Sequence, residues 1–421
     1  MQSKPRVVVD SYNLRLKKGS GIKTYGLSLL EALKHMQAHT ALLTDRPMSS
    51  GDPLLSEVSF FDERPTSNMF PRLHRLIAAA RMLKSRKAKA LNPQVVARAE
   101  RPFDKKDGYF QTLYNVPELF DSANRQFAVT GMSTRVRLPS EVDIFHATTA
   151  LPVIVKKAAK VTTIHDVIPL RLPHTTLDNK RFFHKLVKNS IKRSDLILTV
   201  SNASKRDLIE LFGVEESKVE VTWQSLPEQP VARPEVEQAT LRAHNIESGE
   251  YILFVGNIEP KKNLGTLIRA MAALPGDLPL VVVGKRAWLW EEVMEDGPRY
   301  LGKRFRHLDY LPHTDLPTLY RHARLMVFPS IYEGFGLPPL EAMAHGCPVA
   351  CSKLTSLPEV CADAAAYFDP YDADEMYGQI AAVLDDESLR QSLMEKGHAR
   401  AAYFSMEAYA ERLGAAYQKV L

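Results

Sequence analysis

The sequence predicts an α/β protein with parallel sheets, because short apolar runs alternate with helical segments along the chain. The clearest unit starts with the apolar strand Leu325–Phe328 and passes through a loop with two glycines. A helix is expected to begin near Pro338, since proline suits the first turn of a helix, and a second apolar strand follows at 348–351. The chain also opens with a strand at 7–10 and an amphipathic helix at 22–37. Ligands of parallel sheets bind at the carboxyl ends of the strands, so the glycine loop is a candidate site.

Length and composition indicate a two-domain globular protein. The chain has 421 residues, of which 45% are hydrophobic and 25% are charged, the usual balance of a folded protein. No apolar run is long enough to cross a bilayer, and the first strand begins so early that no signal peptide is expected. The three cysteines show no metal-ligand spacing, so buried free thiols in a reducing cytoplasm are expected. The formal net charge of +6 suggests an anionic partner: nucleic acid, a membrane surface or a substrate.

The glycine loop and the helix behind it carry two glutamates, Glu333 and Glu341, eight positions apart. Glycines let backbone N–H groups approach a ligand, and a helix N-terminus attracts phosphate. Glu341 is expected about one turn inside the helix, where its carboxylate can face the same ligand and accept hydrogen bonds from a ribose or sugar diol. The alternative is that Glu333 is a solvated loop residue and Glu341 a surface charge of the helix.

Residues 323–349 resemble the E-x7-E signature of the family 4 retaining glycosyltransferases, which have the GT-B fold; the segment reads ARLMVFPSIYEGFGLPPLEAMAHGCPV. The resemblance implies that Glu333 contacts hydroxyls of the donor sugar and that Glu341 holds the nucleotide ribose. It also implies that backbone amides of the intervening turn contact the diphosphate. The four residues of that turn are Gly334, Phe335, Gly336 and Leu337.

The same resemblance implies two Rossmann-like domains that face each other across a cleft. The first, acceptor-binding domain is expected to span 1–228, and the second, nucleotide-sugar-binding domain 229–404. Residues 405–421 are expected to form a helix that returns to the first domain. The resemblance covers both halves and is strongest between 251 and 360.

The second domain begins with a strand that ends at Gly256 and is followed by two lysines and a predicted helix start at Leu264. A glycine at a strand end, paired cations and a helix start are typical of a diphosphate site, although solvated lysines are the alternative. The segment resembles the family's Gly-x-x-x-x-Arg-Lys-Asn loop, which implies that Lys262 binds the diphosphate, next to Lys261. Asn257 stands where many relatives have an arginine, so the second positive contact is either missing or supplied by another residue.

Two predicted strands end in histidines, His146 and His165, and strand ends of this kind are well placed for a cleft. For either histidine alone, a hydrogen-bonded structural role is the alternative. The segment around His165 resembles the His-Asp motif of mannosyltransferase-like and rhamnosyltransferase-like members of the family, which implies that His165 touches the donor sugar. Asp166 would orient that histidine or a substrate hydroxyl, and His146 is a weaker candidate for the acceptor side.

The loop after the first strand contains Gly19 and Gly21, which by themselves are equally compatible with a flexible turn. The arrangement resembles the family's first strand–loop–helix, which implies that this loop lies beside the donor phosphates and the acceptor. Arg15 and Lys23 are positive groups that can meet an anionic acceptor.

A basic helix is predicted at 70–90, where lysines and arginines alternate with apolar residues at helical spacing. Such a helix can dock on an anionic membrane surface; the alternative is a helix packed on its own domain with a solvated basic face. Nucleic-acid binding is disfavoured, because aromatic interleaving is sparse and no motif is present.

Three further features are interpreted structurally, and one is left open. Ser201 and Asp372 are predicted N-caps of helices, which makes the D-x-D sequence at 372–374 a capping feature rather than a metal site. No other cluster suggests a metal, so no metal or cofactor is expected. Residues 101–139 are expected to form short strands or an insertion near the acceptor cleft, and the role of Glu359 is undecided.

We therefore expect a metal-independent hexosyltransferase in which Glu333, His165 and Lys262 act on the reacting groups. The resemblance favours GDP-mannose as donor and a lipid-linked oligosaccharide or surface polysaccharide, such as O-antigen or exopolysaccharide, as acceptor. The alternatives are a 6-deoxy sugar donor, dTDP-rhamnose or GDP-fucose, another dTDP- or UDP-sugar, or a non-catalytic nucleotide-sugar-binding protein. The expected location is the cytoplasm, with peripheral attachment to the inner face of the membrane as a possibility.

Overall fold

A computed structural model describes residues 4–14, 21–46, 85–91, 109–227, 232–309, 311–312 and 314–421. Seventeen strands lie in these ranges and form three sheets. The strands of the first half are β1 Arg6–Asp10, β2 His39–Thr44, β3 Arg86–Lys87, β4 Lys89–Leu91, β5 Thr112–Asn115, β6 Thr134–Arg137, β7 Ile144–Ala147, β8 Val153–Val155, β9 Ala159–Thr163, β10 Leu196–Thr199 and β11 Val219–Val221. Those of the second half are β12 Ile252–Val255, β13 Leu280–Val283, β14 Phe305–Leu308, β15 Leu325–Phe328, β16 Val349–Ser352 and β17 Ala366–Phe368.

Fourteen α-helices in the described ranges cover the sheets. In the first half they are α1 Gly21–His35, α2 Leu119–Thr130, α3 Ile168–Arg171, α4 Lys180–Arg193 and α5 Asn202–Phe212. The second half adds α6 Pro234–Ala243, α7 Leu264–Ala273, α8 Glu291–Leu301, α9 Leu316–His322, α10 Leu337–Ala344, α11 Leu357–Cys361, α12 Ala373–Asp385, α13 Glu387–Tyr403 and α14 Met406–Gln418.

Each half of the chain has one large sheet, as the alternating pattern predicts, and the first half also has the small parallel sheet β3-β6-β8. The first large sheet has the strand order β11-β10-β9-β7-β1-β2-β5-β4 and is parallel except for β4, which runs antiparallel to β5. The second has the order β14-β13-β12-β15-β16-β17 and is parallel throughout. Central strands such as β12 and β15 are buried along their whole length, because helices cover both faces of such a sheet.

The last helix, α14, crosses back to the first domain as predicted. Its buried residues include Tyr409, Leu413 and Tyr417. The guanidinium of Arg412 donates to the carbonyl of Thr222 in the first half of the chain at 3.1 Å. Two predicted caps are also confirmed, because the side chains of Ser201 and Asp372 accept hydrogen bonds from backbone N–H groups at the starts of α5 and α12.

Two predictions need correction. The helix predicted at 70–90 is wrong over its described part, since β3 and β4 occupy 86–91; residues 70–84 lie outside the described ranges. Pairing with β6 and β5 overrides the helical spacing there. The interval 101–139 contains short strands as expected, but also the helix α2 of twelve residues. The predicted domain boundary at 228–229 also falls outside the described residues.

Among the helices in the described ranges, none combines the length and apolar character needed to cross a bilayer.

Candidate active site

Two loops at the carboxyl ends of β12 and β15 are joined to each other by their backbones. The amide of Ile331 donates to the carbonyl of Lys261 at 2.9 Å. The side-chain amide of Asn263 donates to the carbonyl of Pro329 at 3.2 Å and to that of Pro370 at 2.6 Å. Asn263 adopts a left-handed conformation, with φ of 56°, which asparagine tolerates better than most residues. These bonds hold the lysine loop against the glutamate loop.

The ammonium of Lys262 lies 2.5 Å from Oε1 of Glu333, and each side chain is only 12% exposed. Burial by itself raises the pKa of the Glu333 carboxyl, but Lys262 and Lys261 outweigh it and hold that pKa below its ordinary value. Burial likewise lowers the pKa of Lys261, but Glu333, Glu259 and Asp166 together raise it above the usual range. The pocket therefore favours the charged forms of Lys261 and Glu333.

The turn after Glu333 is held by hydrogen bonds from the following loop. The hydroxyl of Ser356 donates to the carbonyls of Glu333 at 2.9 Å and Phe335 at 2.7 Å. The amide of Glu333 itself donates to the hydroxyl of Thr355 at 3.1 Å. With its carbonyls occupied, the turn leads into α10 at Leu337. Pro338 and Pro339 have no N–H, so the backbone donors that can meet an anion here are those of the turn 334–337.

The two domains meet at Gly334 and the His165–Asp166 segment. A Cβ atom added to Gly334 would lie 3.0 Å from the carbonyl oxygen of His165 and 3.0 Å from Cβ of Asp166. The hydroxyl of Ser204 donates to the carbonyl of His165 at 2.9 Å and lies 3.4 Å from that of Gly334. A glycine suits this position because any added side chain would press on the His165–Asp166 segment. The fold thus brings the glutamate loop of the second domain against the His165–Asp166 segment of the first.

The ring of His165 is held in a single orientation. Its Nε2 lies 2.9 Å from the carbonyl of Thr148, so Nε2 carries the proton and donates. Tyr25 packs edge-on against the ring, with centroids 4.6 Å apart. Burial lowers the pKa of His165 below its ordinary value, which keeps the ring neutral near pH 7 and leaves Nδ1 as an acceptor. Next to it, a carboxylate oxygen of Asp166 accepts from the amide of Ile168 at 3.0 Å.

Glu341 occupies the predicted position inside α10. The hydroxyl of Tyr320 donates to its Oε2 at 3.0 Å. Burial raises the pKa of the Glu341 carboxyl, although the bond from Tyr320 opposes this rise. The buried phenol therefore orients the Glu341 side chain and occupies only one of its two carboxyl oxygens.

His146 does not occupy the acceptor side of the cleft, which corrects that prediction. The side chain is fully buried, with Nδ1 2.6 Å from the hydroxyl of Tyr417 and Nε2 2.8 Å from that of Thr163. The structural alternative holds, because both ring nitrogens are already paired. Of the first loop, Gly21 is the exposed first residue of α1, whereas Arg15 and Gly19 lie outside the described residues.

Asn257 is exposed at the start of the lysine loop, and a second loop runs beside it. The amide of Ile258 donates to the carbonyl of Lys285 at 2.8 Å, and the amide of Ala287 donates to that of Ile258 at 3.1 Å. Residues 285–286, both basic, are thereby placed next to the position at which relatives carry an arginine. Sequence reasoning missed these two cations because no local pattern links the two loops.

Glu359, left undecided by the sequence, links the domains. Its carboxylate accepts from the amide of Asn202 at 2.8 Å, from the side chain of that residue at 2.8 Å, and from the indole of Trp223 at 2.7 Å. A carboxylate of the second domain thus caps α5 of the first. Only the tertiary structure reveals this contact, since 157 positions separate Glu359 from Asn202.

Comparison with known proteins relates the chain to two glycosyltransferase families. Residues 237–400 match the family model described as Glycosyl transferases group 1, and residues 79–223 match that of Glycosyltransferase Family 4. The chain is 38% identical over 257 residues to O-antigen chain mannosyltransferase B of Escherichia coli, a match that covers 59% of this chain and 67% of that protein.

Two further matches bear on length and fold. The serotype-specific mannosyltransferase WbdA of Escherichia coli is 30% identical over 259 residues, but the match spans only 31% of WbdA and 58% of this chain. Sucrose-phosphate synthase from Thermosynechococcus elongatus superposes with a TM-score of 0.64 at 17% identity, over 99% of this chain and 98% of that structure. The fold predicted from the resemblance, GT-B, is thereby confirmed.

Proposed function

The chain belongs to the family 4 glycosyltransferases, and from this premise we propose that it transfers a hexose from a nucleotide diphosphate sugar to a hydroxyl group with retention of configuration. The observation that carries the proposal is the buried Lys262–Glu333 pair at the joined loop ends, where the next residue, Gly334, packs against His165 and Asp166 of the first domain. A cation beside an anion-favouring turn and a sugar-binding carboxylate suits a donor with an anionic leaving group.

Lys262, Lys261 and the amides of residues 334–337 stabilise the departing diphosphate, since positive charge stands where negative charge develops. With these cations in place we propose that the reaction needs no metal. Glu341, oriented by Tyr320, accepts hydrogen bonds from the ribose.

Glu333 and His165 position the sugar ring. The neutral His165 offers Nδ1 to a sugar hydroxyl, and Glu333 accepts from another. A double displacement needs a carboxylate nucleophile on the β face of the sugar, and no residue is assigned that role. We therefore propose front-face attack, in which the acceptor oxygen bonds to the anomeric carbon as the phosphate oxygen departs and takes the acceptor proton.

The proposed donor is GDP-mannose, and the proposed acceptor is a lipid-linked oligosaccharide or surface polysaccharide. Both rest on the sequence resemblance and on the similarity to O-antigen chain mannosyltransferase B and WbdA. The match to WbdA covers less than a third of that protein, so its specificity is carried over only in outline.

The test is a panel of sugar nucleotides assayed for thermal stabilisation and slow donor hydrolysis, with a chelator present. A donor at 100 times its dissociation constant stabilises the folded state by about 2.7 kcal/mol. We expect GDP-mannose to stabilise and to be hydrolysed by the wild type. Glu333→Gln should lose hydrolysis, whereas Glu395→Gln, an exposed position on α13, should retain it.

Each other outcome selects another reading. If a UDP- or dTDP-sugar stabilises the protein instead, the proposed donor is wrong but the proposed transferase activity still holds. If a sugar nucleotide stabilises the protein but is never hydrolysed, and Glu333→Gln keeps its biological activity, the protein binds nucleotide sugars without catalysis. Hydrolysis that requires a divalent metal overturns the metal-independent reaction.

A further inference from the structure

Helix α4, Lys180–Arg193, presents a stripe of cations to the solvent. Its fourteen residues, KRFFHKLVKNSIKR, include six lysines and arginines and no acidic residue. Arg181, Lys185, Lys188 and Lys192 recur at the spacing of one helix face, and all four are exposed. The opposite face, including Leu186, Val187 and Ile191, is buried against the first domain.

The charge of this basic stripe is not compensated locally. Within the described ranges, none of its four cations forms an ion pair, whereas the nearby Arg171 pairs with Asp207 and Glu210 on α5. The flanking carboxylates, Asp178 and Asp195, stand beyond the two ends of the helix. The stripe therefore keeps its positive potential.

Exposed apolar side chains flank the basic stripe. Leu177, just before α4, is 79% exposed; Val129 and Met132, at the end of α2, are 81% and 45% exposed. The end of α2 contacts α4. The side-chain amide of Asn189 donates to the hydroxyl of Ser133 at 3.0 Å, and the ring of Phe127 packs edge-on against that of Phe182, with centroids 6.0 Å apart. Cations and apolar groups thus share one continuous surface.

We propose that this surface, made of the basic stripe with Leu177, Val129 and Met132, docks the first domain on an anionic lipid bilayer. Cations attract the headgroups, and neighbouring apolar side chains enter the boundary below them, the combination that holds interfacial helices on membranes. Nucleic acid would use the cations but has no comparable use for three exposed aliphatic side chains. The apolar flank therefore favours a bilayer.

The docking surface is connected to the cleft along the chain. The segment from His165 and Asp166 leads through α3 directly to Leu177, and Arg171 in α3 is anchored to α5. A bilayer against α4 would bring a lipid-linked acceptor to the edge of the cleft. This consequence rests on the proposed function, whereas docking itself does not.

The test is sedimentation of the full chain with vesicles of 30% phosphatidylglycerol in phosphatidylcholine, and with vesicles of phosphatidylcholine alone. We expect binding only to the anionic vesicles. At about fivefold per cation near the surface, Lys185→Gln/Lys188→Gln/Lys192→Gln should weaken binding about 100-fold. The matched control, Arg242→Gln/Arg299→Gln/Lys303→Gln, removes the same charge from exposed positions of the second domain and should change binding little.

A second pair of variants tests the apolar flank. Leu177→Gln/Val129→Gln should reduce vesicle binding at 0.3 M salt, where screening weakens the cations, and Val236→Gln on α6 should not. Equal loss in both triple variants, or binding to a DNA duplex but not to anionic vesicles, would overturn the proposal. Donor hydrolysis, measured without lipid, should be unchanged in all these variants. If the wild type hydrolyses no donor, that result counts against the proposed function and not against docking.

Discussion

Lys262 and Glu333, 71 positions apart in the chain, form an ion pair of 2.5 Å that bridges the carboxyl ends of neighbouring strands β12 and β15. Its ammonium also lies 4.8 Å from the centroid of the Phe328 ring. The pair joins the two motifs that the sequence assigned separately to the diphosphate and to the sugar.

Breaking this pair should cost more than removing it. Lys262→Met removes the hydrogen-bonded cation of a buried carboxylate and leaves only the charge of Lys261 beside it, so we expect a loss of about 3 kcal/mol in the free energy of unfolding. The double variant Lys262→Met/Glu333→Gln should recover most of that loss, and urea titration of the single and double variants measures it. Additive losses would mean that the two side chains do not depend on each other.

Donor hydrolysis should fall on the acid side as His165 becomes protonated. Burial lowers the pKa of His165, so the neutral ring persists through neutral pH and is lost only as the pH drops below about 6.5. The pH–rate profile of the wild type should show this limb, and that of His165→Gln should lack it while its rate is lower throughout. His174→Gln, at an exposed position, should keep the acid limb of the profile. If the limb disappears in His174→Gln, it does not come from protonation of His165.

The buried His146 should make folding sensitive to acid. Burial lowers its pKa to about 3, whereas the unfolded chain binds the proton near pH 6.5. The folded-state pKa is depressed, so stability should decline as the pH falls from about 6.5 toward 3, by about 1.4 kcal/mol per pH unit from this group. Urea titrations at several pH values should show that the free energy of unfolding depends less on pH in His146→Gln than in the wild type. His39→Gln, a control at an exposed position, should keep the pH dependence of the wild type.

Glu359 should hold the domains together through the N-terminus of α5. Glu359→Gln keeps the shape but removes the charge, which costs about 1 kcal/mol at a helix N-terminus. We expect small-angle X-ray scattering to show a larger radius of gyration in this variant. Asp372→Asn is the matched control, since Asp372 caps α12 within one domain. An increase of the radius of gyration in both variants would show that Glu359 has no special role between the domains.

The approach of β13 to the lysine loop should exclude any side chain at Gly284. An added Cβ would lie 1.9 Å from the carbonyl oxygen of Gly256, so Gly284→Ala must move one loop and should destabilise the protein by about 3 kcal/mol. Gly378→Ala, at an exposed helical position with nothing within 4 Å of the added Cβ, should instead stabilise by about 1 kcal/mol. Thermal unfolding of both variants measures the contrast.

Local features were predictable from the sequence wherever one segment determines its own structure. The strand Leu325–Phe328, the glycine turn and the start of α10 follow from an apolar run, two glycines and prolines at the start of the helix. The caps at Ser201 and Asp372 follow from side chains that reach their own helix. The roles of the predicted site residues in binding and catalysis stay predictions.

Contacts between distant segments were not predictable in the same way. His146 and His165 end similar sequence patterns, yet His146 is enclosed by Tyr417 and Thr163 while His165 lies at the cleft. Residues 86–90 were assigned to a helix by their spacing, but β3 pairs with β6 and β4 pairs with β5 there, so the chain forms strands.

By itself, the sequence determined that this protein has alternating strands and helices and which loop carries the glutamates and glycines, because periodicity and turn chemistry act over a few residues. Only the tertiary structure decided that Lys262 pairs with Glu333, that Gly334 meets His165, and that Glu359 caps α5. The physical reason is that strand order and domain packing set which loop ends become neighbours, and these depend on burial summed over the whole chain.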